Sequence, residues 1–512
     1  MRVSGILFAV VLLFAVIFSF LAVHTTKIGT YSDDIQYLLA AQSISDGHYY
    51  NQYAPGESPI MYYHPGYPFI LSIISKITGF REDAFRFLNF LLIWGSLGIL
   101  YLCTKDRLAL VLSGLSPLVV WHLGDVMPDA LFMFLSFAII LLAIAGANRS
   151  FKPLFYASVL LAVFSFYVRP TGLVNIIFLA LFLAVNGRLK AAGYALSLFM
   201  AFTAPLFVYN KITGNSGFHY VNLVSGLAGM LTSFSNNVLF YFTLLFSKGI
   251  AYIPPALNNF VSWIIVAVLC LSVVIGINKL KNNFAARTII LWAACYAFFH
   301  LFWVYSDVRY LFALVPVAVY FSVNGFYYVL KTKPALFFAA VIAITASFIT
   351  ADLQLIKNSF HNLKTGLRAQ EEKYEWIKSN IKGKVFLSFY APRMYYYTKN
   401  QSFSMAPVKD PDMFYYKLLE KKIDYIFLTD ITGSLRSDTS LKSHETIQNH
   451  IKEFVSNKTI HASSRYELVF RDSSNGTEIY RVAAPHRHSE TGSKNNTKCG
   501  LSYRNLHDLK NY

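Results

Sequence analysis

Apolar residues in this chain come in blocks. Each about 16 to 22 residues long, they run through 4–23, 84–103, 108–123, 128–146, 153–168, 171–186, 191–209, 259–277, 288–304, 309–330 and 335–350, with polar or charged connections between them. A hydrocarbon core about 30 Å thick is crossed by a helix of about 20 apolar residues. The pattern therefore predicts about eleven transmembrane helices in a catalytic or transport body spanning 1–350. After residue 350 the pattern becomes a soluble alternation. It predicts a helix over 366–380, a strand at Lys384–Ser388, a helix near 392–398, a helix over 412–422, a strand at Ile423–Leu428, a helix over 440–455 and a hairpin across Tyr466–Arg481. That order describes a small α/β domain over 351–484. Residues 485–512, with His486-Arg487-His488 and many Ser, Asn and Lys, read as a disordered tail.

Two connections are long: about 24–83, rich in Tyr, Pro, Gly and His, and about 210–258. The second contains the semi-apolar stretch Asn237–Phe246, read here as an amphipathic helix on the outer surface. A further span there would carry the C-terminal domain to the other side of the membrane. The first block lacks a clear small-residue cleavage site after Phe20-Leu21-Ala22-Val23, so it reads as a retained first helix and not as a signal peptide.

Composition agrees with the blocks: 55% of the residues are hydrophobic and only 14% charged, against about 25% charged in soluble domains. The four cysteines, at 103, 270, 295 and 499, suggest no disulfide framework and read as buried thiols. A net charge of +18 raises the possibility of nucleic acid, but no aromatic-interleaved basic stripe or nucleic-acid motif is present. The basic surplus is spread through the chain, +10 in residues 1–350 and +8 in 351–512. Where it falls sets the topology. With a cytoplasmic N-terminus, one set of connections carries Arg2, Lys105, Arg107, Arg149, Lys152, Arg188, Lys190, Lys279, Lys281, Arg287, Lys331 and Lys333 with Asp106 as its single acid, as the positive-inside rule requires. The other set holds nine of the ten acids of residues 1–350. Acidic groups then face the exterior, and an odd number of spans makes the C-terminal domain extracytoplasmic.

Candidate chemistry gathers on that exterior side. Tyr31-Ser32-Asp33-Asp34 opens a short helix ending near Gly47. Carboxylates there cap free N–H groups; alternatively one of them is a general base toward an acceptor hydroxyl, and both roles can coexist. Tyr62-Tyr63-His64-Pro65-Gly66-Tyr67-Pro68 is a proline-limited turn, on which His64 is either a satisfied surface histidine or a ligand. Asp125 and Asp129 lie four apart at the exterior start of a span. Arg169 and Arg309 are cations at exterior span ends, where orientation does not need them. Such a cation invites a partner, either an acid such as Asp307 or a phosphate held bidentately.

In order and side, these features resemble the membrane-embedded GT-C glycosyltransferases, among them the lipid A aminoarabinose transferases, the protein O-mannosyltransferases and the RgtA/B/C/D-like group. Asp33-Asp34 is similar to the acidic pair of that family's first exterior loop. His64-Pro65-Gly66-Tyr67-Pro68 resembles its His/Lys-Pro-Pro turn, with Gly66 where a second proline is usual. Asp129, Arg169-Pro170-Thr171-Gly172, Tyr209–Gly214, Phe246–Pro254 and Arg309–Pro316 complete the likeness over residues 1–350. The resemblance implies inverting transfer of one sugar from a polyprenyl-phosphate donor to a lipid, glycan or protein acceptor at the exterior face of a bacterial inner membrane. It implies Asp34 or Asp33 as base, with His64, Arg169, Lys248 and Arg309 around the donor phosphate and Asp125, Asp129 and Arg86 in support. Relatives differ over a divalent cation. Mg²⁺ or Mn²⁺ would here call on Asp34 and Asp129, if the acids converge.

Other classes read differently. A secondary transporter places ionisable groups near the midplane in broken helices and often shows inverted repeats, whereas these acids lie at span ends. A polysaccharide polymerase or ligase would share the exterior site but take a lipid-linked oligosaccharide. The C-terminal domain has no Gly-rich phosphate loop or recognisable triad, and acceptor recognition is the expectation for it. Sequons at Asn400, Asn457, Asn475 and Asn495 would matter only in a eukaryotic host.

Overall fold

The computed structural model describes residues 5–23, 28, 32–54, 63–148, 151–212, 226–243, 259–303, 307–362, 368–404, 410–429, 439–456, 465–472 and 476–483. The first part is a helical bundle, in order α1 (Gly5–Val23), α2 (Ser32–Ser45), α3 (Gly66–Thr78), α4 (Glu82–Thr104), α5 (Arg107–Gly114), α6 (Pro117–His122), α7 (Asp129–Asn148), α8 (Phe151–Val168), α9 (Leu173–Val185), α10 (Leu189–Ile212), α11 (Gly226–Thr243), α12 (Asn259–Leu280), α13 (Phe284–Leu301), α14 (Val315–Leu330) and α15 (Pro334–Asn362). Short 3₁₀ turns at Pro170–Gly172 and Val308–Leu314 lead into α9 and α14.

Among the described residues, six helices are long and apolar enough to cross a membrane, and four shorter apolar helices accompany them. With the block at 108–123 they account for the eleven expected segments. That block is not one helix: Pro117, which has no N–H to continue α5, opens α6 after a break at Leu115-Ser116. The chain is thus a polytopic helical membrane protein. Large apolar side chains such as Phe14, Ile177, Met200 and Ile342 cover its outside, as lipid allows.

Inside, packing follows membrane rules, with small residues at close crossings and polar side chains tying helices together. Asn175 on α9 is fully buried. It donates to Ser136 Oγ of α7 at 3.1 Å and Ser165 Oγ of α8 at 3.0 Å, and it accepts from Trp292 Nε1 of α13 at 3.0 Å. Helices α12 and α14 cross where Gly276 and Gly325 face backbone, against Phe321 and Ser272 respectively, so close that a Cβ at either would collide. Ser272 Oγ and Ser322 Oγ hydrogen-bond beside that crossing at 2.6 Å. The cysteine expectation needs correction: Cys270 is exposed and Cys103 and Cys295 are half-buried free thiols. In a membrane protein an apolar thiol satisfies itself against lipid as well as inside the fold.

The C-terminal part continues with α16 (Arg368–Asn380), β1 (Phe386–Ser388), α17 (Ala391–Thr398), β2 (Ser402–Ser404), α18 (Pro411–Glu420), β3 (Tyr425–Leu428), α19 (Thr439–Ser456), β4 (Tyr466–Asp472) and β5 (Thr477–Val482). The five strands form one sheet in the order β2-β1-β3-β5-β4, with β1 parallel to β2 and β3, and β5 antiparallel to β3 and β4. Period-two alternation decides its faces. Ile426 and Leu428 join Phe414, Leu418, Ile451 and Val455 of α18 and α19 on one side, while Tyr425 and Phe427 join Tyr374, Ile377 and Met394 of α16 and α17 on the other. Every expected element of this part is present; β2 is additional, and the predicted strand at 384–388 narrows to three residues.

This unit sits on the bundle end that carries the acidic pair. Tyr396 Oη donates to Glu82 Oε1 at 2.6 Å, Tyr397 Oη donates to the Ile28 carbonyl at 2.8 Å, and the Ser402 N–H donates to the Tyr53 carbonyl at 2.7 Å. Asn400 is buried, its side chain accepting from Lys384 N and donating to the Ile381 carbonyl, so this sequon is structural.

Candidate functional site

Four stretches distant in sequence meet at one end of the bundle: the start of α2, the 122–129 turn, the 169–172 turn and the 307–310 turn. Asp33, with its side chain 31% exposed, accepts from Tyr63 Oη at 2.9 Å through Oδ1 and from Arg309 Nη1 at 3.2 Å through Oδ2. Arg309 is also ion-paired with Asp307 through Nε at 3.2 Å, and Asp307 caps the 3₁₀ turn by accepting from the Arg309 N–H at 3.0 Å. Arg169 forms a short ion pair with Asp129, both side chains buried. The two guanidinium groups share one aromatic support, the Tyr310 ring, at 5.4 Å for Arg169 and 5.5 Å for Arg309. Tyr37 packs edge-on to Tyr63 and Tyr67 below.

Local sequence explains the placement. The α8 end is gripped between two glycines: a Cβ on Gly66 would strike the Tyr167 backbone, and one on Gly172 would strike Ser165 and Phe166. Only glycine allows this approach, and it fixes where Arg169 leaves the helix. His64 ties the same place, with Nδ1 2.7 Å from the Phe166 carbonyl. Burial pushes its pKa down to about 4, the Phe166 hydrogen bond opposing and Arg169 adding to the shift. The ring is therefore uncharged at neutral pH, and with Nδ1–H donated to the carbonyl its Nε2 is an acceptor. This bond makes His64 an anchor of the loop, with Arg169 close enough to act on its ring.

Asp34 faces another environment. It is 2% exposed, and its Oδ1 accepts from the Ile35 N–H at 2.6 Å. Its charge acts on Tyr396 and Tyr397, on the side where Tyr396 binds Glu82. Arg86, expected in support, is buried there and paired within its own helix with Glu82 at 3.1 Å and Asp83 at 3.5 Å. Asp125 pairs with His122, Nδ1 to Oδ2 at 2.9 Å, while its carbonyl accepts a short bond from Asn89, which in turn accepts from Tyr67 Oη at 3.2 Å. Sequence reasoning passed over His122, Asn89, Tyr63, Tyr310 and His300. His122 was legible in principle from its i,i+3 spacing to Asp125, but it lies in a block read as apolar span.

Lys248 lies outside the described residues. Of the two acids expected to hold a cation, Asp129 is paired with Arg169, and no group of three His, Cys, Asp or Glu side chains that could hold a metal ion converges among the described residues. Beside the His64 turn opens a groove of about 500 Å³, lined by Ile44, Tyr49, Gly66, Phe69, Phe164 and Tyr167 among others. Tyr167 lies two residues from Arg169.

Fold and site together define a polytopic membrane protein whose ionic residues meet at one end, under a small α/β unit. No protein-family profile matches the chain, and no curated protein matches it in sequence. Solved structures do. The structure of ArnT from Cupriavidus metallidurans bound to undecaprenyl phosphate is similar at a TM-score of 0.58 and 11% identity, covering 94% of this chain and 100% of that one. The apo state of the same protein aligns at 0.55 and 12%, over 88% and 94%. The Archaeoglobus fulgidus oligosaccharyltransferase tethered with an acceptor peptide containing the NVT sequon aligns at 0.52 and 12%, over 94% and 74%. The chain shares the fold of these proteins.

Proposed function

We propose that this protein is an integral-membrane glycosyltransferase that moves a single sugar from a polyprenyl-phosphate donor to a lipid, glycan or protein acceptor at the extracytoplasmic face, with Asp33 as general base. The observation that carries the reading is a partly exposed carboxylate, Asp33, paired with Arg309, whose Tyr310 support it shares with Arg169, near an apolar groove beside the His64 turn. A polyprenyl phosphate is a long apolar chain ending in an anion, and groove and cations match its two parts.

An acceptor hydroxyl attacks the anomeric carbon while its proton passes to Asp33, whose carboxylate oxygens each keep a lone pair beyond the bonds from Tyr63 and Arg309. The bond from the anomeric carbon to the phosphate oxygen breaks, and the polyprenyl phosphate leaves with the electron pair. Arg309 and Arg169 stabilise that charge from fixed positions, which is worth most where water is excluded. Attack opposite the leaving group inverts the anomeric centre.

The test is turnover of a panel of radiolabelled polyprenyl-phosphate monosaccharides in membranes. Asp33→Asn should lower turnover about 1000-fold while undecaprenyl phosphate still binds. Wild-type protein that consumes no such donor would sink the reading, and consumption of a lipid-linked oligosaccharide instead would favour a polymerase or ligase.

A further inference from the structure

Helix α13 brings to this site one polar ring that neither the proton transfer nor the phosphate clamp employs. His300 is 2% exposed, and both ring nitrogens lack a hydrogen-bond partner among the described residues. Its ring stacks on Tyr310 at 5.0 Å and 16° and tilts against Tyr296 at 4.4 Å. Tyr310 is the same ring on which Arg169 and Arg309 rest, and Arg169 and Asp129 are the charged neighbours of His300. The position is held from outside the helix, because Asn237 of α11 donates to the His300 carbonyl at 3.0 Å and the Leu301 carbonyl at 3.2 Å. Folding thus fixes an imidazole whose polar atoms are left unanswered, at a cost that protein interiors rarely accept without a functional reason.

The ring's chemistry selects the part of the substrate it suits. A phosphate presents acceptors only, which the two arginines already match. An uncharged imidazole offers a donor at one nitrogen and an acceptor at the other, and a hydroxyl group, itself donor and acceptor, can pair with either. Tyr296 and Tyr310 add flat apolar surface next to it, suited to the C–H face of a sugar ring. We propose that His300 reads a hydroxyl of the transferred sugar through one ring nitrogen, which donates to it or accepts from it, and so sets which sugar is taken. This assignment rests on the glycosyltransferase reading above.

The experiment compares wild type, His300→Phe and His300→Gln in membranes, using a polyprenyl-phosphate monosaccharide that wild type consumes and the set of its monodeoxy analogues. His300→Phe should lower kcat/KM for the full sugar about 10- to 100-fold. For one particular deoxy analogue, wild type and His300→Phe should turn over alike, because substrate and enzyme have each lost one side of the same bond. His300→Gln keeps a donor and an acceptor and should recover part of the loss. Binding of undecaprenyl phosphate, which carries no sugar, should be equal in all three proteins and reports that they are folded. Identical discrimination among the analogues by wild type and His300→Phe overturns the assignment, as does loss of undecaprenyl phosphate binding in both variants. A wild type inert toward every polyprenyl-phosphate sugar overturns the glycosyltransferase reading itself, and this assignment with it.

Discussion

Asp33 and Asp34 are neighbours in sequence with opposite surroundings. Consecutive residues on a helix point about 100° apart, so one carboxylate turns to Arg309 and Tyr63 and the other to the buried side of Tyr396 and Tyr397. Asp34→Asn should accordingly act mainly on stability, and Asp33→Asn on turnover; thermal unfolding in detergent beside the donor assay separates the two. Arg169 and Asp129 make a second, buried pair. Removing one partner strands a charge, which costs about 3–5 kcal/mol, so Arg169→Gln should lower the unfolding temperature sharply. Adding Asp129→Asn should restore much of it, as a double-mutant cycle would read. His64 makes a pH prediction. Its folded pKa of about 4 lies below the unfolded value of 6.5, so between those values the unfolded chain binds the extra proton and stability falls as pH falls. His64→Gln should show a shallower loss between pH 6.5 and 4 in unfolding measured across that range. The residue types at this site were legible in the sequence. Their partners were not, because Arg309 meets Asp33 across 276 positions and Arg169 meets Asp129 across 40.

At the scale of elements, the same chemistry that makes a span apolar leaves packing to small residues. Gly325 faces the Ser272 backbone and Gly98 faces open space. Gly325→Val should therefore destabilise the protein severely by forcing α12 and α14 apart, whereas Gly98→Ala should be neutral or mildly stabilising, since alanine favours helix over glycine by about 1 kcal/mol. Thermal unfolding of both in one detergent checks the contrast. Hydropathy alone passed over the break at Pro117, because apolar content runs through it unbroken. In the 210–258 connection, whose Asn237–Phe246 stretch reads as an amphipathic surface helix, α11 caps the end of α13 through Asn237.

For the whole molecule, the C-terminal unit holds the chain that carries the acidic pair. Tyr397 binds the Ile28 carbonyl ahead of Asp33, and Tyr396 binds Glu82 beside Arg86. Deleting residues 360–512 should then lower turnover itself by an order of magnitude or more, assayed on one acceptor. Acceptor choice altered at full rate would instead make the unit a recognition module. Apolar block length and period-two alternation are local properties, and from them the apolar helices, save the break at Pro117, and four of the five strands were legible along the chain. Which acid meets which cation, which histidine is tied to a carbonyl and which is left open, and where glycine must admit a neighbouring backbone were decided only by tertiary structure. Those contacts join segments tens to hundreds of residues apart, and no periodicity along a chain encodes a distance across it.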